Sequence, residues 1–207
     1  YNYYDGSDWG DYPTERVESI RTGWPVYAPL GENGEIIVSH ALPDPDGDWV
    51  LLFNKRDTKG EGDWEEFTLA GPEAGVGIVW PSMVTGGPDH NIIHILARSY
   101  GNDYMGQTGA LLYSRSSDGG ATWDIQNLFF DELGPDYFTA IDADGFAWAQ
   151  PKGNTLAFTV GFDIGHACFM KSSDGGDTWE FTEVYHCPFY PAPGAATPPF
   201  GAGDGTQ

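Results

Sequence analysis

Positive charge is the scarcest property of this chain. Nine lysines and arginines stand against 31 aspartates and glutamates in 207 residues, a formal charge of −22. So acidic a surface repels phosphate backbones and anionic lipid, which excludes nucleic acid and membrane surfaces as default partners. Cysteine is almost missing: Cys168 and Cys187 cannot make a disulfide framework, and no Cys/His pattern has zinc-site spacing. If Ser172 pairs with Trp179 across a hairpin, Cys168 faces residue 183 rather than 187. A bond between the two cysteines then requires the chain to bend after its last strand. No segment has the periodicity of a long amphipathic helix, and no apolar run approaches a membrane span. Nucleophile-elbow, P-loop and metalloprotease-helix motifs are missing as well. The chain opens at Tyr1 with neither Met nor secretory leader, and Gly201 to Gln207 reads like the approach to another strand. Both ends look cut, and the expectation is a piece of a longer secreted protein.

What is abundant points to strands and turns. Eight Trp, 11 Tyr, 12 Phe and 29 Gly suit a β-rich chain, and 207 residues are enough for one domain with a sizeable core. The octapeptide Ser116-Ser117-Asp118-Gly119-Gly120-Ala121-Thr122-Trp123 recurs as Ser172-Ser173-Asp174-Gly175-Gly176-Asp177-Thr178-Trp179, its aspartates 56 residues apart. Trp24-Pro25 and Trp80-Pro81 are also 56 apart. Two independent features sharing one period indicate a repeat architecture, and strands repeating at this interval indicate propeller blades.

Each octapeptide lies between two short apolar runs, a hairpin signal. Its Ser and Asp can accept backbone N–H groups inside the turn, its glycines permit positive φ, and its Trp can pack on a neighbouring sheet. The motif S-x-D-x-G-x-x-W resembles the Asp-box of sialidase-like (BNR-repeat) β-propellers. Ser116, Asp118, Gly120, Trp123, Ser172, Asp174, Gly176 and Trp179 are accordingly expected to be structural. Thr22-Gly23-Trp24-Pro25 and the run from Gly31 to Val38 also resemble large secreted propeller proteins of Bacteroidetes-type bacteria.

The expected fold is all-β, a partial propeller of four-stranded antiparallel blades. Residues 1–22 read as the outer half of a preceding blade. Blades follow at 23–75, 76–135 and 136–190, and a further one begins at 191–207. Asp57 to Trp64 reads as a degenerate octapeptide without the Ser, and residues 131–145 as an acidic, aromatic loop that delays the third blade. The prolines of the Trp-Pro pairs are expected near strand starts, where a missing N–H falls at the end of a ladder.

The resemblance implies a sialidase site at the mouth of the central channel, remote from the octapeptides. Its machinery would be three arginines, a Tyr nucleophile with a Glu, and an Asp acid/base. The first arginine belongs to an Arg-Ile-Pro strand opening, but Gly23 and Val79 stand in that slot here, which leaves Arg21 as the substitute. Of the remaining arginines, Arg56 and Arg115 adjoin outer turns, whereas Arg98 follows a second strand and can reach the mouth. Trp24, Trp80 and Trp148 either ring a channel and stack on sugar faces or form inter-blade core. His40 and His94 lie in apolar runs, as packed histidines or as catalysts. Asp44, Asp46 and Asp48 form a compact triplet that could ligate Ca²⁺, although they lack the closing Glu of an EF-hand loop. No other cofactor is indicated.

Two functions therefore stand as expectations. The first is a non-catalytic, extracellular propeller segment that binds glycan or protein or serves as a scaffold, with further blades of a parent chain as its neighbours. The second is part of a sialidase-like glycoside hydrolase completed by residues outside the chain.

Overall fold

The computed structural model describes residues 1–161 and 166–186. Three four-stranded antiparallel sheets follow one another, each with its strands in chain order. The first contains β1 (Thr22–Leu30), β2 (Gly34–Ala41), β3 (Val50–Arg56) and β4 (Glu65–Leu69). The second contains β5 (Val76–Gly86), β6 (Ile92–Gly101), β7 (Leu111–Ser116) and β8 (Ile125–Phe129). The third contains β9 (Phe146–Trp148), β10 (Leu156–Val160), β11 (His166–Ser172) and β12 (Glu180–His186). No α-helix occurs among the described residues, only a 3-10 turn at Asp131–Leu133. This is the expected all-β, partial propeller.

The first strands of successive sheets, β1 with β5 and β5 with β9, lie side by side and form the inner edge. One apolar cluster fills the space between the first two sheets, with Ile36, Val38, Leu51, Phe53, Ile78 and Ile95 at its centre. A second joins the second and third sheets through Leu111, Tyr113, Phe130, Phe158 and Met170. Every residue of β2 is buried, as a strand covered on both faces must be, and its Ile-Ile-Val run supplies the apolar surface.

The octapeptide turns close themselves with short-range hydrogen bonds. The Ser116 hydroxyl accepts Gly120 N–H at 2.8 Å, and the Asp118 carboxylate accepts Thr122 N–H at 2.8 Å and the Thr122 hydroxyl at 2.6 Å. Around Asp174 the corresponding distances are 2.8, 3.0 and 2.6 Å. Bonding from Thr122, side chain and then backbone, holds the Asp118 carboxyl down at about 2, and Thr178 holds Asp174 well below the carboxylate range in the same way. Each turn then seats on the preceding sheet. Trp123 packs against Phe53, and Trp179 against Tyr113 and Phe130. Lys55 donates to Gly119 O at 3.0 Å, and Arg115 donates to Gly175 O at 2.9 Å and to Asp177 at 2.7 Å.

Gly176 has φ +94°, and a Cβ there would overlap the Tyr113 hydroxyl; Gly175 has φ +77° with nothing nearby. Gly176→Ala is therefore expected to destabilise by about 1–3 kcal/mol through overpacking, beyond the φ strain that both alanine variants share. Urea midpoints of Gly175→Ala and Gly176→Ala separate the two effects.

The structure departs from the sequence reading at the prolines and in the leading segment, and it adds detail at two further places. Pro25 and Pro81 sit inside strands, not at their starts, because each occupies a bulge; β5 begins at Val76, before Trp80. The expected acidic, aromatic loop at 131–145 also plugs the core. Leu133, Phe138 and Ile141 are fully buried, and Gln107 Nε2 donates to Leu133 O and Phe138 O at 3.0 and 2.5 Å. Residues 1–21 form no strand, only a Tyr4–Trp9 bridge around a turn in which Asp5 accepts the Ser7 and Asp8 N–H groups. The turn lacking the Ser is secured from β2 instead. Buried Glu35 accepts Arg56 Nε at 2.6 Å, the Tyr1 hydroxyl at 2.7 Å and Gly60 N–H at 3.1 Å.

Candidate functional site

The two Trp-Pro pairs are structural twins. In β1 the register shifts between Gly23, opposite His40, and Val26, opposite Val38. In β5 it shifts between Val79, opposite Arg98, and Ser82, opposite Leu96. Two residues thus oppose one in each case, and the bulge needs no ladder hydrogen bond from the proline. Both tryptophans adopt left-handed backbone, φ 52° at Trp24 and 50° at Trp80. A bulky residue in that region costs on the order of 1–3 kcal/mol, and such strain concentrates at functional sites.

The bulges lie toward the end of the sheets opposite the octapeptide turns, where they leave the Trp24 indole exposed and that of Trp80 half-buried. Trp24 is 55% exposed and Tyr100 45% exposed. Trp24 and Trp80 meet at 6.1 Å between ring centroids, Trp80 and Tyr100 at 6.5 Å, and Trp49 and Tyr100 at 6.2 Å. The result is an aromatic platform across the inner edges of the first two sheets.

His40 anchors it. The imidazole stacks beside Trp24 at 5.8 Å, meets Trp49 edge-on at 5.1 Å and accepts Trp80 N–H on Nδ1 at 3.0 Å. That bond ties the first sheet to the bulge of the second and places the proton of the neutral ring on Nε2. Burial pushes the His40 pKa down, which favours this neutral form. Gly23 makes the arrangement possible, because a Cβ there would stand 2.7 Å from His40 Nε2. The residue in the expected arginine slot is thus small to admit the histidine.

Arg98 borders the platform, with its guanidinium 5.1 Å from the Trp80 ring and its Nε donating to Ile141 O at 2.7 Å. Arg21 is exposed at the entry to β1, and Arg16 is exposed in the leading segment. Arg56 is engaged by Glu35 and the Tyr1 and Trp64 rings, and Arg115 by Asp124 and Asp177. Both lie at the octapeptide end, so Arg98 alone of the three strand-borne arginines flanks the platform.

Trp148, grouped with Trp24 and Trp80 in the sequence, is separated from them. Its Nε1 donates to Ser82 O at 3.0 Å, and its ring packs among Tyr113, Phe158 and Trp179 in the inter-sheet core. His94 is likewise buried, 2.8 Å from the Tyr113 hydroxyl. Trp49 and Tyr100 escaped the sequence reading. Each falls at a strand end with no motif around it, and only the neighbouring bulges bring them to the platform.

The proposed Ca²⁺ triplet requires correction. Asp44 accepts Asp46 N–H at 3.0 Å within a turn, and Asp48 accepts Gly75 N–H at 2.8 Å. Backbone N–H groups thus occupy one oxygen of Asp44 and one of Asp48, and among the described residues Asp44, Asp46 and Asp48 do not converge into a group that could hold an ion. Cys168 does face Glu183, and burial pushes its thiol up to about 11. Cys187, the other half of the disulfide considered above, lies outside the described residues.

No family model matches this chain, and no curated protein matches its sequence. Solved structures resemble it in fold. The polysaccharide lyase Uly1 superposes with a TM-score of 0.56 at 15% identity over 78% of this chain and 40% of that one. A Trypanosoma rangeli sialidase in complex with the inhibitor DANA gives 0.51 at 16% identity over 77% and 30%. The chain spans less than half the length of either protein and has their sialidase-like β-propeller fold.

Proposed function

We propose that this chain is a non-catalytic, glycan-binding segment of an extracellular bacterial β-propeller, with the Trp24–Trp80–Tyr100 platform as its binding surface. The observation that carries this reading is the pair of twin bulges, each holding a tryptophan in strained backbone, with exposed Trp24 and half-buried Trp80 side by side next to exposed Tyr100. Exposed, rigid aromatic faces suit the apolar faces of sugar rings, and polar edges such as Arg98 orient hydroxyls. The formal charge of −22 makes neutral sugars better ligands than sialic or uronic acids. Against the hydrolase alternative, Gly23 and Val79 fill the arginine slots and Arg56 and Arg115 are engaged elsewhere.

Further blades of a parent chain are the expected neighbours. Lys171 holds on β11 the place from which Lys55 on β3 and Arg115 on β7 reach the next sheet's octapeptide turn, and it suits the same contact with another blade.

Titration with neutral oligosaccharides, by calorimetry after screening on a glycan array, tests the reading. Trp24→Ala is expected to weaken binding roughly tenfold, equivalent to about 1.4 kcal/mol. Trp9→Ala removes a 68%-exposed indole outside the platform and is expected to leave affinity unchanged. Absence of neutral-glycan binding by the folded chain, or turnover of a fluorogenic sialoside, would overturn it.

A further inference from the structure

Although the sequence has no zinc-site spacing, the β11–β12 pair gathers three ligands at its open end. The register runs Met170 opposite Phe181, Phe169 opposite Thr182 and Cys168 opposite Glu183, then shifts so that Ala167 faces Tyr185 and His166 faces His186. Along a regular strand Glu183 and His186, three apart, would point to opposite faces. Val184 is the extra residue of a bulge, and it returns both side chains to the face that His166 shares.

The geometry suits a borderline metal ion. His186 Nδ1 and His166 Nδ1 lie 3.1 and 3.5 Å from the same Glu183 oxygen, and potential ligand atoms of all three residues fall within 4.8 Å of one another. With zinc–ligand bonds of about 2.0–2.2 Å, neighbouring ligands of a tetrahedral ion stand roughly 3.4 Å apart. The two observed separations bracket that value.

His166 is buried, with its ring edge-on to Phe138, which fixes one ligand from below. The side chains of Glu183 and His186 are 39% and 44% exposed, so an ion can enter from solvent. Two imidazoles with one carboxylate is a zinc-class donor set; Ca²⁺ and Mg²⁺ require mainly oxygen.

We propose that His166, Glu183 and His186 bind one Zn²⁺, with water completing the coordination. The ion would clamp outer strand β12 to β11 at the end away from their octapeptide turn. By strand direction that end is the one carrying the aromatic platform.

Zinc chloride titrated into the chelator-treated full chain, followed by calorimetry, tests this. One equivalent is expected to bind, and Ca²⁺ should not displace it. Cobalt substitution should give a tetrahedral absorption spectrum. Glu183→Gln and His186→Ala alter exposed side chains that can change without unfolding the sheet, and each should weaken binding roughly tenfold or more. His90→Ala, at an exposed turn elsewhere, should leave it unchanged. No saturable zinc binding, or binding indifferent to Glu183→Gln and His186→Ala, would overturn the proposal and leave a histidine–glutamate hydrogen-bond cluster.

Discussion

Trp179→Ala is expected to remove about 3–5 kcal/mol of stability, the range for deleting a packed aromatic. The ring lies 5.2 Å from Tyr113, 5.6 Å from Phe130, 6.1 Å from Trp148 and 5.2 Å from Phe158, joining the second and third sheets. A domain is stable by only about 5–15 kcal/mol, so this one change should remove a large share of the total and loosen the third sheet from the second. Trp123 is the same residue of the other octapeptide, but among the described residues its ring meets only the Phe53 ring. Trp123→Ala should therefore cost clearly less. Trp179→Phe should also be mild, because Trp179 Nε1 is buried with no acceptor among the described residues and its loss removes an unpaired donor. Urea denaturation followed by circular dichroism gives the ranking. Equal costs for the two tryptophans would show that the octapeptide turn, rather than the aromatic cluster, carries the stability.

Acidification between pH 6.5 and 4 should remove a further about 3 kcal/mol through His94. Burial, then the nearby Arg115 charge, pushes this imidazole down to about 4. The unfolded chain takes up a proton near pH 6.5, whereas the folded chain resists until about pH 4. The unfolded state consequently binds more protons across this window, and stability falls with pH. It is fully present above pH 6.5. His40, whose pKa burial also lowers, contributes in the same direction. The octapeptide carboxylates act later: with Asp118 held at about 2, their contribution persists above the ordinary carboxylate pKa and is lost only as pH falls below it.

Chemical denaturation at stepped pH gives the profile. In His94→Leu/Tyr113→Phe both partners of the buried 2.8 Å contact become apolar together, so neither is left unpaired. That variant should show a much flatter profile above pH 4. An unchanged slope would locate the titrating group elsewhere.

The histidine cluster shows why some of the chemistry was illegible in the sequence. His166 and His186 are twenty residues apart, with no motif spacing, and Glu183 stands at a distance that alternation assigns to the wrong face. One inserted residue reverses that parity, and nothing in the local composition around Val184 signals a bulge. The platform presents the same difficulty. Trp24 and Trp80 are readable as a repeated pair, but the sequence groups Trp148 with them, whereas its indole N–H bonds to Ser82 O and its ring joins the inter-sheet core.

The sequence by itself determined the all-β repeat, the 56-residue interval and the chemistry of the octapeptide turns, because the hydrogen bonds that the motif's Ser and Asp accept inside each turn span at most four residues. Interactions that short are encoded where they act. Tertiary structure alone decided which tryptophans face solvent, that His40 supports the bulge of another sheet, and that two histidines and a glutamate share one face. These outcomes depend on register shifts and on the packing of neighbouring sheets. A one-residue shift moves a side chain from core to surface without changing the composition of its strand.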